Sequence, residues 1–240
     1  METDDYWELT LFRFTGYALY KKEPILIMHG GGIDAEYWMR RQAQNGEEPY
    51  PIQLAKQGYD VWMGNNRGTK YSNENKRWPL ADSTSGTASA EKQHAEKYDF
   101  TFDEMGTKDV PAFIDKILEV TKLDKVIYIG YGNGTFQLSW ALVQMEESYF
   151  EDKISRAIYQ APCFFPNAIQ DGIEGYRGFV PQLKERNVGI LNGPEPAYME
   201  QKACDGVDSA TDGACQTVQY LQSIGLEGLA TKHLDYWGQI

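Results

Sequence analysis

A glycine-rich turn in the middle of the chain has the spacing of a site for acyl-transfer chemistry. The turn reads Gly130-Tyr131-Gly132-Asn133-Gly134 and stands between an apolar run and a segment with helical periodicity. A nucleophile elbow has this order of elements: a strand, then G-x-x-x-G, then a helix. Its central residue occupies a sharp, strained turn, and small neighbours let the backbone fold tightly. A dinucleotide loop requires G-x-G-x-x-G, so this glycine spacing is wrong for a nucleotide site.

A second glycine-rich loop could supply the other half of such a site. It reads His29-Gly30-Gly31 and follows the apolar run at 25–28. In enzymes with a nucleophile elbow, a loop of this kind places a second backbone N–H in the oxyanion hole. The chain has only three histidines and no CxxC or HxxxH spacing. We therefore expect no metal site, and the sequence gives no reason to expect a cofactor.

Both loops have to be positioned by a sheet, and the pattern of apolar runs predicts one. Short runs that favour strands occupy residues 7–14, 25–28, 59–63, 126–129 and 157–160. Between them, Thr101 and Glu104 have the spacing of a capping box, and an apolar stripe at helical spacing follows over residues 110–118. Pro111 is expected to kink or restart that helix. Strands that alternate with helices predict an α/β fold with a mostly parallel sheet.

The remaining segments are less regular. Residues 79–97 are polar and predict a surface loop, and residues 166–240 predict a helical cap without a clear strand. We therefore divide the chain into a core at 1–165 and a cap at 166–240.

Cys204 and Cys215 bracket a polar loop, which is compatible either with a disulfide or with two reduced thiols.

Charge and hydropathy exclude several classes of function. Lys and Arg number 23 against 35 Asp and Glu, a net charge of −12, so a basic face for nucleic acid or anionic lipid is not expected. The uncharged stretch 126–145 is long enough to cross a membrane, but its glycines and amides argue against a transmembrane helix. The N-terminal residues do not form a signal or transit peptide, and the compartment stays open.

The chain resembles the acid lipases, the gastric and lysosomal lipases of the α/β-hydrolase fold. The resemblance is carried by residues 54–72 and 98–115, by the elbow region at 125–134 and by Ala161-Pro162. It extends from about residue 5 to residue 166, and residues 233–238 are similar to the segment in which the family's cap rejoins its core. The resemblance implies that His29 lies in the oxyanion loop and that Gly31 and Asn133 correspond to the oxyanion-hole amide donors.

The sequence departs from the family at the residues that do chemistry. The family's elbow is Gly-His-Ser-x-Gly, whereas here Gly132 takes the place of the serine and Tyr131 that of the histidine. Acyl transfer needs a hydroxyl or thiol beside a base, and glycine has neither. The family's acid and base follow the cap, and the resemblance matches none of the three histidines to the base. Thr135 and Ser139 follow on the helix, too far from the tip to replace the nucleophile.

Three functions remain compatible with this pattern. The favoured one is a catalytically inactive lipase-like pseudoenzyme that acts as an accessory or structural subunit of a larger assembly. The alternatives are a lipid- or fatty-acid-binding module and a lipase or esterase of lipid metabolism that another chain completes. The last predicted strand leaves an unpaired edge near Ala157, Ile158 and Tyr159, and we expect a protein partner to cover it.

Overall fold

The computed structural model describes residues 1–16, 22–39, 46, 48–81, 87–162, 180–186, 190–191, 204, 206–208, 211–216 and 229–230. The first half of the chain forms β1 (Trp7–Glu8), β2 (Thr10–Thr15), β3 (Ile25–Met28), α1 (Tyr50–Lys56), β4 (Asp60–Asn65), β5 (Glu74–Asn75), α2 (Ala88–Lys97), α3 (Phe102–Glu104), a π-helical turn (Met105–Asp109) and α4 (Val110–Thr121). The second half forms β6 (Val126–Tyr131), α5 (Asn133–Gln144), α6 (Glu147–Lys153), β7 (Ile154–Gln160), α7 (Val180–Glu185), β8 (Ile190–Leu191) and β9 (Leu229–Ala230).

One five-stranded sheet organises the molecule, in the order β2–β4–β3–β6–β7. β4, β3, β6 and β7 run parallel to one another, and β2 pairs antiparallel with β4 at one edge. The predicted α/β fold with a mostly parallel sheet is therefore confirmed. Because parallel strands end at the same side of a sheet, the loops that follow β3, β4 and β6 meet there.

The hydrophobic core lies in two layers, one on each face of the sheet. Leu26 and Met28 belong to the layer that contains α4 and α5, whereas Ile25 and Ile27 belong to the layer that contains α1. All four side chains are almost fully buried. This explains why β3 reads as a continuous apolar run, since a strand covered on both faces has no polar side.

The helix that leads to the site begins as the sequence predicts. The Glu104 carboxylate accepts a hydrogen bond from the Thr101 N–H at 2.7 Å, completing the capping box. A π-helical turn then precedes α4, and Pro111 lies in the first turn of α4. At that position the missing proline N–H costs no helical hydrogen bond, so the helix restarts there.

The prediction of a loop over residues 79–97 was wrong for its second half. Residues 88–97 form α2, and the Thr87 hydroxyl caps it by accepting from the Ala90 N–H at 3.3 Å. The buried residues of this helix are Ala90, His94 and Lys97. Their spacing is helical, but two of them are polar, so the segment lacks the apolar stripe by which a helix is recognised in a sequence.

The expectation of a cap without strands also needs correction. β8 and β9 form a short antiparallel pair, and α7 packs Leu183 against the main core. Cys204 and Cys215 are joined by a disulfide, the alternative that the sequence left open, with 4.8 Å between their Cα atoms. The core–cap boundary at 165, His233 and the segment 233–238 lie outside the described residues.

Candidate functional site

The elbow predicted from the glycine spacing is present as a backbone turn. β6 ends at Tyr131, α5 begins at Asn133, and Gly132 between them has φ +51° and ψ −112°. A positive φ with this ψ is open to glycine and strained for other residues. The Gly132 N–H donates to the Gln160 carbonyl at 3.0 Å, and the Gly132 carbonyl accepts from the Thr135 N–H at 3.0 Å.

Two further glycines are needed because the backbone packs too closely for a side chain. A Cβ on Gly130 would lie 2.7 Å from the Gly134 carbonyl carbon, and a Cβ on Gly134 would lie 2.8 Å from the Met28 carbonyl oxygen. Neither contact is possible without moving the backbone. The outer glycines of the G-x-x-x-G spacing therefore hold the β6–α5 turn against the end of β3.

Gly132 differs from these two glycines, because there is space for a side chain at the tip. The nearest atom to a Cβ on Gly132 would be the Gly30 Cα, at an ordinary 3.6 Å. The neighbouring hydroxyls are committed elsewhere: Thr135 Oγ1 donates to the Gly132 carbonyl at 2.7 Å, and Ser139 Oγ donates to the Tyr159 hydroxyl at 3.0 Å. The position that suits a nucleophile is thus sterically open and has no hydroxyl or thiol of its own.

Tyr131 packs sideways from the elbow onto aromatic residues of the loop after β3. Its ring stacks on Tyr37, with centroids 5.3 Å apart, and lies edge-on to Trp38. The Tyr37 hydroxyl donates to the Tyr131 hydroxyl at 3.3 Å. A Cβ on Gly30 would lie 3.1 Å from the Tyr131 ring, so this ring also covers the second glycine-rich loop.

His29 is a structural residue of that loop. Its side chain is buried, Nε2 accepts from the Asn66 N–H at 3.1 Å, and Nδ1 lies 2.8 Å from the Gly30 carbonyl. Since Nε2 is an acceptor, Nδ1 carries the proton and donates to that carbonyl. Burial lowers the pKa of His29 below its ordinary value, so the ring is neutral. With both nitrogens in use, His29 ties the loops after β3 and β4 together.

Gly31 and Asn133 are the two residues whose backbone N–H groups the resemblance assigns to oxyanion-type donation. Gly31 lies in the loop after β3, and Asn133 is the first residue of α5, where backbone N–H groups have no helical acceptor. Within the described residues, neither backbone N–H donates a hydrogen bond. The close approach of Gly30 to the tip brings the two loops together at this point.

The sequence pattern does not predict a buried ion network that links the loop after β4 to the π-helical turn. Arg67 is 1% exposed and Asp109 is fully buried, with Arg67 Nη2 2.7 Å from Asp109 Oδ1 and Arg67 Nη1 2.6 Å from Asp5 Oδ2. Burial disfavours the charge on Arg67, but Asp109 and Asp5 outweigh it and raise its pKa above the ordinary value. Arg67 and Asp109 lie in the two segments that carry the family resemblance, which is the only signal that could have revealed them.

Two kinds of feature are absent from the part of the chain that the structure describes. It contains no group of three or more His, Cys, Asp or Glu side chains that could hold a metal ion. It also contains no helix that is both long enough and apolar enough to cross a membrane.

Comparison with known proteins places these features in context. The model of the alpha/beta hydrolase fold family matches residues 23–186. The Schizosaccharomyces pombe protein named "Probable lipase C16A3.12c" is 31% identical over 178 residues, which are 73% of this chain and 37% of that protein. Lipase 3 of Drosophila melanogaster is 30% identical over 191 residues, 77% of this chain and 43% of the lipase. The chain thus spans less than half the length of either relative.

Among solved structures, a carboxylesterase of the archaeon Nitrososphaera gargenis aligns over 98% of this chain and 68% of its own length. The identity is 15% and the TM-score 0.49, values that add nothing to the match with the family model.

Proposed function

This chain belongs to the α/β-hydrolase fold family and is lipase-like, and from that premise we propose that it is a catalytically inactive pseudoenzyme that serves as an accessory or structural subunit of a larger assembly. The observation that carries the proposal is Gly132 at the tip of the elbow. Covalent acyl transfer requires a nucleophilic side chain at that point, and glycine has none.

The hydrogen bonds of the surrounding side chains also support catalytic inactivity. Thr135 and Ser139 donate their hydroxyl protons to other groups, and His29 uses both ring nitrogens inside the protein. His94, the other described histidine, is buried on α2, and its Nδ1 lies 3.0 Å from the Ala81 carbonyl. No described residue therefore pairs a nucleophile with a base at the tip.

The accessory role is supported by the edge of the sheet. β7 pairs with β6 on one side, and no other strand among the described residues pairs with its outer side. Residues 156–158 are exposed, and the Ile158 side chain is 44% exposed. An unprotected strand edge with an apolar side chain is a ready site for strand addition, so we assign this edge to a protein partner.

A fatty-acid-binding module is the second candidate, and the backbone N–H groups of Gly31 and Asn133 favour it. A backbone donor at the N-terminus of α5 and a second in the loop after β3 suit a carboxylate, whether or not a nucleophile stands between them. Native mass spectrometry of the purified protein distinguishes the candidates: a bound fatty acid supports this one, and a bound protein chain supports the accessory subunit.

Hydrolysis of a short-chain aryl ester tests inactivity directly. We expect the wild type to release no more product than a Tyr131→Phe/Asn133→Ala double variant, because residue 132 offers no attacking group. Turnover by the wild type clearly above that variant contradicts the proposal and favours a lipase or esterase completed by another chain.

Native mass of the protein purified from its source tests the assembly. We expect a species larger than the 27.3 kDa chain, and we expect Ile158→Lys to shift it toward the free chain by placing a charge on the β7 edge. Leu80→Lys is the matched control, since Leu80 is 45% exposed, close to the value for Ile158, and lies in a turn between β5 and α2. A well-behaved monomer of 27.3 kDa for the wild type argues against an accessory subunit.

A further inference from the structure

Two short segments that follow β7 in the chain are buried in the main hydrophobic core. Leu183 of α7 is 0% exposed, and Ala214 is 1% exposed. Both belong to the core layer that contains α4 and α5, and Cys204 packs against the same layer. α7 has six residues, and a helix of that length is not stable in isolation. Its place in the structure therefore depends on contacts with the rest of the protein.

An ion pair links these two segments to each other. Arg186, the residue after α7, donates from Nη1 to Asp212 Oδ1 at 2.8 Å and from Nη2 to Asp212 Oδ2 at 2.7 Å. Two parallel hydrogen bonds of this kind fix the orientation of the guanidinium as well as its distance. Asp212 Oδ1 also accepts from the Cys215 backbone N–H at 2.9 Å. One carboxylate thus connects the end of α7 to the turn that carries Cys215.

The disulfide holds this turn in place from its other side. It joins Cys215, which is 0% exposed, to Cys204, which lies eleven residues earlier and is partly exposed. Ala214 is adjacent to Cys215, and Asp212 stands three residues before it, so the bond positions both the apolar contact and the ion pair. Opening the bond gives the segment between the cysteines more conformational freedom when it leaves the core, which favours its release.

We propose that the Cys204–Cys215 disulfide is a redox-sensitive lock that keeps α7 docked on the core, and that a dithiol reductant releases α7 while the central sheet stays folded. Release withdraws Leu183 from the layer of α4 and α5 and uncovers apolar surface there. The lock does not depend on whether the elbow is catalytic or on whether a partner binds along β7.

The exposure of the two cysteines determines where the reductant attacks. Cys215 is buried, so a thiolate of the reductant attacks the sulfur of the partly exposed Cys204. Cys215 leaves as a thiolate and takes up a proton. The second thiol of the reductant then displaces Cys204, so both cysteines end as thiols and the reductant is oxidised by two electrons to its own disulfide.

Hydrogen–deuterium exchange of three hydrogen-bonded amides tests the lock, with dithiothreitol as the reductant. The Arg186 N–H donates to a carbonyl of α7, the Gln216 N–H donates to a carbonyl next to the disulfide, and the Lys122 N–H donates to a carbonyl at the end of α4. We expect reduction to speed exchange about 10–100-fold at Arg186 and Gln216, the range that a disulfide of ordinary strength predicts. Exchange at Lys122 should not change.

Two variants separate the disulfide from the ion pair. Cys204→Ala leaves the bond open and keeps the buried Cys215 as a small apolar side chain, so Arg186 and Gln216 should exchange fast with or without dithiothreitol. Arg186→Met cuts the connection through the ion pair and releases α7 in both redox states. Reduction should then still speed exchange at Gln216 but no longer at residue 186.

Arg13→Met is the matched control for the second variant. Arg13 also donates two hydrogen bonds to one carboxylate, that of Asp60 in the main sheet. Both Arg186 and Gln216 should keep their response to dithiothreitol in this variant.

Three results overturn the proposal. A bond that stays closed in excess dithiothreitol, judged by whether Cys204 can be alkylated, shows that the disulfide is not redox-sensitive. Unchanged exchange at Arg186 after complete reduction shows that the bond does not hold α7. An equal rise at Lys122 shows that reduction unfolds the core along with α7.

Discussion

At the residue scale, position 132 combines the backbone turn of a nucleophile elbow with the absence of a side chain. The turn keeps a φ of +51°, the outer glycines keep their close contacts, and the tip has room for a Cβ. A substitution at position 132 can therefore add a hydroxyl at the tip without displacing neighbouring atoms.

Gly132→Ser is expected to cost stability without creating an esterase. A side chain at this φ is strained by about 1–2 kcal/mol, and neither described histidine is available to deprotonate the new hydroxyl. Melting temperature and aryl-ester hydrolysis measure the two effects. Gly132→Ala serves as control, because it carries the strain without the hydroxyl. Turnover by the serine variant alone contradicts this account of the histidines.

His29 is expected to make stability depend on pH near neutrality. Burial lowers its pKa in the folded protein, so below about pH 6.5 the unfolded chain binds a proton that the folded chain does not. The free energy of unfolding therefore falls as pH drops below that value, by at most about 1.4 kcal/mol per pH unit, until the folded pKa is reached. His29→Gln removes this contribution. Urea unfolding at several pH values from 7.5 to 5 gives the free energy of unfolding of both proteins. The prediction is contradicted if that free energy changes with pH to the same extent in the wild type and in His29→Gln.

At the scale of the elements, how much the sequence predicts depends on burial. The strands with continuous apolar runs are found close to their predicted positions, because both faces of the sheet are covered. α2 is missed, because its buried face contains His94 and Lys97 and therefore has no hydrophobic period. The elbow is predicted from glycine spacing, since only glycine tolerates its close contacts. The fully buried pair Arg67–Asp109 is not predicted from the sequence pattern, because charged residues at turns are normally exposed.

Ala161, the residue after β7, is held in a strained conformation. It has φ +46° and precedes Pro162. Ala161→Gly is expected to raise the free energy of unfolding by about 1 kcal/mol, since glycine adopts a positive φ without the Cβ clash. Chemical denaturation measures the change. Ala157→Gly within β7 is the control and is expected to lose about 0.5–1 kcal/mol; loss in both variants contradicts the argument.

At the scale of the whole molecule, Arg67 connects three distant parts of the chain. Its side chain joins the N-terminal segment through Asp5, the loop after β4 and the π-helical turn through Asp109. Its guanidinium also lies over the Trp7 ring, 5.5 Å from the centroid. We therefore expect the N-terminal segment to unfold together with the core as long as this network is intact.

Arg67→Met is expected to destabilise the protein by about 3–5 kcal/mol, because Asp109 is left buried without its partner. The double variant Arg67→Met/Asp109→Leu should recover most of that loss, since it also removes the uncompensated charge. Equilibrium unfolding in urea measures both. Arg13→Met breaks the exposed pair with Asp60 and is expected to cost less than about 1 kcal/mol. A double variant as unstable as the single one contradicts the explanation.

The hydrogen bond from the Gly132 N–H to the Gln160 carbonyl has one more consequence. It joins the tip of the elbow to the last residue of β7, the strand whose outer side pairs with no other strand among the described residues. The exchange rate of this one amide proton with deuterium therefore reports on the end of β7 as well as on the elbow. A chain that binds along β7 and immobilises its end should slow exchange at residue 132, and the elbow would register an event at the sheet edge without any catalysis.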